Sequence, residues 1–242
     1  MQRPAFWLAV GKIIWINVLL SGDNALVIAM ACRGLAPRQR LWGMVIGAGI
    51  AVVLLIAFTG IVATLMVLPY LKLAGGLALL VIAAKLLVPE DEGGDVTAGA
   101  SLWHAVRIVV IADIVMSLDN VIAVAAAAGD STTLLILGLA ISIPLVIFGS
   151  TLLIKVMERF PIVITVGAAL IGFVAGEMVV TDPALGDWMS ANFQMVDKKP
   201  MLAGFHLEVI VGLAGALLVV LVGKLLARRQ TAAVGESQEI PR

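Results

Sequence analysis

Charge is scarce in this chain. Only 13% of its 242 residues are charged, against roughly 25% in an average soluble domain. Set beside a hydrophobic content of 62%, that shortfall excludes a soluble fold and leaves no room for a soluble domain. Cysteine is nearly absent: the single Cys32 rules out an internal disulfide and any multi-thiolate metal centre within one chain. Net charge is zero, so overall charge gives no reason to expect a nucleic-acid or acidic partner. Neither a nucleophile–base set nor a phosphate-cradling loop occurs, so no enzyme is expected. The N-terminal apolar stretch has no convincing small-residue cleavage site and continues through Asn17 and Asp23, which predicts a retained helix rather than a cleaved signal.

What is present is a series of apolar runs. A bilayer-spanning helix needs about 20 residues, and seven runs qualify: 6–32, 41–67, 70–88, 104–128, 132–157, 162–180 and 206–227. The expectation is an all-α, polytopic membrane protein of seven transmembrane helices. Residues 1–228 would form a single transmembrane domain, and 229–242 a disordered cytoplasmic tail. Pro69 breaks spans two and three, Gly129-Asp130-Ser131 turns between spans four and five, and an acidic loop from Pro89 to Asp95 follows span three. Arg33, Arg38 and Arg40, then Lys155 and Arg159, then Lys224, Arg228 and Arg229 fall on one side of a seven-span bundle. That bias predicts an outer N-terminus and a cytoplasmic C-terminus in a cell membrane, with Lys198 and Lys199 dissenting. Trp7, Trp42, Trp103 and Trp188 lie near span ends, as an interfacial belt would place them.

One polar phrase interrupts the apolar text twice, as SGDNALVIA from Ser21 to Ala29 and SLDNVIAVA from Ser117 to Ala125. At an offset of 96, Asn17 aligns with Asp113, Ser21 with Ser117, Asp23 with Asp119, and Asn24 with Asn120. A looser offset of 92 aligns Gly75 with Gly167, Leu79 with Ile171, and Lys85 with Glu177. Spans one to three (6–88) therefore repeat as spans four to six (104–180), with span seven added. Three is odd, so the halves are expected upside down to each other. Such inverted repeats are a recurring plan of secondary transporters, whose sites lie near the midplane.

Each Asp-Asn pair falls within a few ångströms of the bilayer centre, counting about 1.5 Å per residue. A carboxylate there costs at least ~2.5 kcal/mol to insert and usually faces a cavity or a partner. At 100° per residue, Asn17, Ser21 and Asn24 share one helix face, as do Asp113, Ser117 and Asn120, with Asp23 and Asp119 about 100° aside. Either the helices sit centrally with that whole arc turned inward, or they break at the pairs and free carbonyls. Carboxylate, carboxamide and hydroxyl oxygens suit hard divalent cations such as Mg²⁺, Ca²⁺ or Mn²⁺. Carboxylates in a low dielectric also favour proton uptake when no cation balances them, so cation–proton exchange is a natural coupling. The competing reading is interhelical hydrogen-bonding glue. Glu177 stands between an ion-path role and burial glue, and Lys85 is expected to snorkel at its helix end. His206 and Glu208 are expected to cap span seven at the outer face.

With these motifs the chain resembles the TerC family of integral membrane proteins. The matching residues are Gly22-Asp23-Asn24-Ala25 with Ile28-Ala29, then Asp113 and Ser117 to Ala123, joined by Gly75, Gly167 and Glu177. The resemblance spans Phe6 to Ala227 and implies an exporter of divalent metal cations, above all Mn²⁺. It implies Asp23, Asn24, Asp119 and Asn120 as the metal site, with Asp113 as partner; the polar stripes and the apolar run around Glu177 add Ser21, Ser117, Asn17 and Glu177 as further candidate ligands. The ion would be cargo, with no permanently bound cofactor. Two rivals stand beside it: a non-transporting partner in membrane-protein insertion and assembly at the translocation machinery, and a tellurium-resistance factor. An oxyanion carrier would call for basic residues where this midplane is acidic. Homo-oligomerisation is left open.

Overall fold

The computed structural model describes residues 11, 22–59, 68–88, 98–128, 132–196, 199–202 and 204–238, with backbone alone at 55, 58–59, 98–100, 117–128, 132–142 and 230–238. The long elements are helices: α1 Gly22–Cys32, α2 Pro37–Thr59, α3 Leu71–Leu86, α4 Ala98–Ala128, α5 Thr132–Arg159 and α6 Ile162–Val180. Between α6 and the long α8 (Leu207–Gln238) lie a 3₁₀ turn at Pro183–Leu185, the short helix α7 (Gly186–Asn192) and three strands. Strands β1 (Gln194–Val196), β2 (Lys199–Leu202) and β3 (Phe205–His206) form an antiparallel sheet in that order, with Gln194 opposite Met201 and Met201 opposite His206.

These elements gather into two units, and the units cut across the sequence halves. The first comprises α1, α2, α4 and α5, with α1 and α2 each packed on both α4 and α5. The second comprises α3, α6, α7, α8 and the sheet, with α6 packed on α3 and α8.

Several boundaries move from their expected places. Helix α2 begins at Pro37, four residues before the apolar run, because a proline at the first helical position gives up a donor that has no partner anyway. Helix α4 likewise starts at Ala98, ahead of the expected 104. Helix α8 continues to Gln238 instead of ending at 227, so most of the segment expected as a disordered tail is helical. Extending a helix already anchored by packing costs far less than starting one. His206, expected to cap the last helix, ends β3 and directly precedes Leu207, the first residue of α8. The sheet was not expected: strands of two to four residues carry too little periodicity to register.

Helices α6 (Ile162–Val180) and α8 (over Leu207–Arg229) are long and apolar enough to cross a bilayer. Helix α8 shows why both faces of such a helix can be apolar. Leu213, Leu217, Leu221 and Leu225 form an exposed stripe, each more than half accessible, that suits lipid. Gly212, Gly215, Val219 and Gly223 form the opposite, buried stripe. There the backbones nearly touch, as small residues allow between membrane helices. A Cβ on Gly172 of α6 would lie 2.8 Å from the Gly215 carbonyl oxygen, and one on Gly176 would collide with the Val211 carbonyl. We expect Gly172→Leu to lower the thermal stability of the detergent-solubilised protein, by the ~1–3 kcal/mol typical of overpacking. A melt unchanged from wild type would show that α6 and α8 do not depend on this contact.

Asp182 ties the second unit together. Only 2% exposed, it lies just past α6 and caps its own 3₁₀ turn by accepting the Ala184 N–H at 2.7 Å. The same carboxylate accepts the Tyr70 N–H and the Leu73 N–H, both at 2.9 Å, at the start of α3. Those donors have no intrahelical partner. Tyr70, the N-cap of α3, makes no side-chain cap bond and holds a left-handed φ of 68°, so a remote residue does the capping. Burial alone would raise the Asp182 carboxyl, but the N–H groups of Leu73, Ala184, Tyr70 and Lys72 outweigh it and hold it below its ordinary value. Elsewhere in this unit the Lys199 Nζ donates to Glu208 Oε2 at 2.7 Å, and Glu208 holds that ammonium above its ordinary value, with Glu177 adding to the effect.

Candidate cation site

Helix α1 carries the first Asp-Asn pair in its opening turn. From Ala25 to Cys32 every residue is buried, so α1 is enclosed on all faces within its unit, as an all-round apolar helix must be. A central helix can turn its stripe and the adjoining Asp23 toward neighbours at once. Its backbone is regularly helical from Gly22 onward. Helix α4 runs unbroken from Ala98 to Ala128, straight through Asp119 and Asn120. Of the two alternatives, the unbroken helix therefore holds at the second pair. Whether α1 is interrupted before Gly22 lies outside the described residues, as do Asn17 and Ser21.

The two helices meet at a narrow cleft. Asn24, Val27 and Ile28 of α1, at i, i+3 and i+4, face Val109 and Asp113 of α4, at i and i+4. Asp113 is buried, at 5% exposed. Asn24 Oδ1 is buried and has no hydrogen-bond partner among the described residues. Leaving such an acceptor unmet costs about 1–3 kcal/mol, a cost that a cation would relieve. Asp23, next in sequence to the cleft-lining Asn24, accepts the Asn24 backbone N–H on its Oδ1 at 2.8 Å. By helix geometry Ser117 and Asn120 continue the stripe that Asp113 begins; they and Asp119 are described in backbone alone.

The donor set is hard oxygen. Cys32 stays out of it: its Sγ would lie 3.0 Å from a Cβ on Gly43 and so closes the α1–α2 contact. A Cβ on Gly47 would likewise come within 2.8 Å of Val109 on α4, so the Gly43-x-x-x-Gly47 pattern is a genuine close-packing face. Among the described residues, no three His, Cys, Asp or Glu side chains gather at one point. Glu177 belongs to the second unit, in the last turn of α6.

One residue near the cleft escaped sequence reasoning. Ser150 of α5, fully buried, donates its hydroxyl to the Ala25 carbonyl at 3.0 Å. A lone serine in an apolar helix carries no signal of this kind. At the far end of the unit, Arg40 Nη1 meets Glu158 Oε1 at 2.7 Å and its Nη2 donates to the Arg33 carbonyl at 2.8 Å, just beyond α1. That contact gathers the basic first and fifth connections at one end, though the ion pair itself, with Glu158 57% exposed, contributes little stability.

Residues 2–231 match the integral membrane protein TerC family. The chain belongs to that family. It is 39% identical over 190 residues to the uncharacterized membrane protein YjbE of Bacillus subtilis strain 168, covering 78% of this chain and 87% of YjbE. It is 26% identical over 188 residues to the uncharacterized membrane protein YceF of the same organism, covering 74% and 73% of the two chains. A UPF0053 protein of Buchnera aphidicola subsp. Schizaphis graminum is 27% identical over 158 residues, 57% of this chain and 30% of that protein. No solved structure matches. Membership of the TerC family establishes an integral membrane protein and an essentially helical fold.

Proposed function

We propose that this TerC-family protein exports a divalent metal cation, Mn²⁺ by preference, by alternating access and in exchange for protons. The observation that carries the proposal is the α1–α4 cleft, where the unmet Asn24 oxygen and the buried Asp113 carboxylate line one space beside Asp23. Asp119, Asn120, Ser117 and Ser21 would complete a hard oxygen set from both halves of the chain. Hydrogen-bonding glue alone would leave no acceptor unmet at such a place.

The repeat supports the transporter reading. Exchanging α1 with α4, α2 with α5 and α3 with α6 leaves the packing scheme unchanged: α1 on α5 trades with α2 on α4, while α1 on α4, α2 on α5 and α3 on α6 each map onto themselves. Pro69 and Pro161, 92 residues apart, stand just before α3 and α6. Both features fit a three-plus-three inverted repeat followed by a seventh spanning helix. The common end shared by the basic connections fits a cytoplasmic face there, with the N-terminus outside.

Purified protein in liposomes, challenged separately with Mn²⁺, Mg²⁺, Ca²⁺ and Zn²⁺ while metal and proton movement are followed, tests this directly. Mn²⁺ flux with opposing proton flux is expected. No metal-dependent flux with any of the four would leave the insertion and assembly role standing.

A further inference from the structure

The helices of the first unit present α1 with mostly apolar surface. Ala25 to Cys32 offer Ala, Leu, Val, Ile, Met and Cys side chains, which in a bilayer pack about as well against lipid as against other helices. Such contacts permit rotation and sliding, so they hold the angular setting of α1 only weakly. The Ser150 hydroxyl, at 3.0 Å from the Ala25 carbonyl, is a directional bond at the residue directly after the Asp-Asn pair. Beside it Gly149 faces Ala25 at ordinary contact distance, since a Cβ there would stand 4.0 Å from that of Ala25. Ala25 lies about 100° around α1 from Asn24. Pinning Ala25 toward α5 therefore fixes the angle at which Asn24 addresses Asp113 across the cleft.

We propose that Ser150 is a positioning residue that sets the angle at which Asn24 faces Asp113 across the cation cleft, and through it the discrimination between Mn²⁺ and larger divalent ions such as Ca²⁺. This rests on the reading of that cleft as the transport site. Ca²⁺ takes oxygen ligands at about 2.3–2.6 Å in flexible geometry, whereas smaller ions demand shorter, stricter distances. A cleft whose facing ligands are free to turn loses its preference for the smaller ion. The neighbouring Thr151 provides a control, because its hydroxyl bonds the Ile147 carbonyl of its own helix at 2.8 Å and does not reach α1.

The experiment measures Mn²⁺ and Ca²⁺ transport in proteoliposomes for wild type, Ser150→Ala, Ser150→Thr and Thr151→Val. Ser150→Ala should raise the KM for Mn²⁺ about tenfold with kcat changed only a few-fold, and should shrink Mn²⁺/Ca²⁺ discrimination about tenfold. Ser150→Thr, which keeps the hydroxyl, should restore both. Thr151→Val should match wild type. If Ser150→Thr does not accumulate in membranes, Ser150→Ala against Thr151→Val decides. Unchanged KM and discrimination in Ser150→Ala, or the same change in Thr151→Val, overturns the positioning role while leaving the transport site intact. A wild type that moves no divalent cation overturns the transport reading and this one with it.

Discussion

Asp113→Asn is expected to abolish Mn²⁺ export, as are Asp23→Asn and Asp119→Asn, with all three proteins still inserting in the membrane. The substitution keeps size and one oxygen but removes a charge from a low-dielectric site. Breaking a buried charge pairing from one side typically costs ~3–5 kcal/mol, which is about two to four orders of magnitude in cation affinity. Insertion should not suffer, since a neutral amide is cheaper to bury in a bilayer than a carboxylate. Cells expressing each variant would be loaded with Mn²⁺ and their efflux followed, with membrane content checked in parallel. Asp113 is the most informative of the three because its burial and its place in the cleft are both defined. Normal efflux from Asp113→Asn would remove the cleft as the transport site, whatever the other two variants do.

Asp182→Ala is the second large effect, and it concerns stability rather than transport. It strips the acceptor from the backbone N–H groups of Tyr70, Leu73 and Ala184, where α3, the end of α6 and the 3₁₀ turn meet. Hydrogen bonds to a charged acceptor contribute ~1.5–3 kcal/mol each, and they do not simply add. A loss of about 3–5 kcal/mol is expected, read as a much lower melting temperature in detergent at pH 7. Asp182→Asn should fall between, since its carbonyl still accepts while its NH₂ faces the donors.

The pH dependence follows from the sign of the shift. The folded carboxyl is held below its ordinary value. Its contribution is therefore complete above the unfolded carboxylate pKa of about 3.9 and fades as pH falls through the lower folded value. Wild type should lose part of its margin over Asp182→Ala only below about pH 4. A margin that shrank between pH 7 and pH 5 would mean that some other group provides the stabilisation.

Asp182 also shows where sequence reading reached its limit. An Asp followed by Pro183 is a recognisable cap of a local turn, and that much is visible in order along the chain. Its reach to Tyr70, 112 residues earlier, is not. The same division runs through the site. The doubled Asp-Asn phrase stands out because each copy is a costly exception in apolar text, and an exception needs only its immediate surroundings to be seen. The approach of Asn24 to Asp113, the hydroxyl of Ser150 on α1 and the partition into units that mix the halves depend on which helix faces which.

The sequence by itself determined a membrane-embedded, helical chain with a repeated polar motif, because composition and 3.6-residue periodicity are local properties that the bilayer enforces on each segment separately. Tertiary structure alone decided that α4 passes unbroken through its Asp-Asn pair, that α1 is enclosed from Ala25 to Cys32, and that one Asn24 oxygen has no partner among the described residues in a cleft it shares with a buried aspartate. Those outcomes turn on helix packing, where small residues and single hydrogen bonds choose among arrangements that lipid would otherwise accept almost equally.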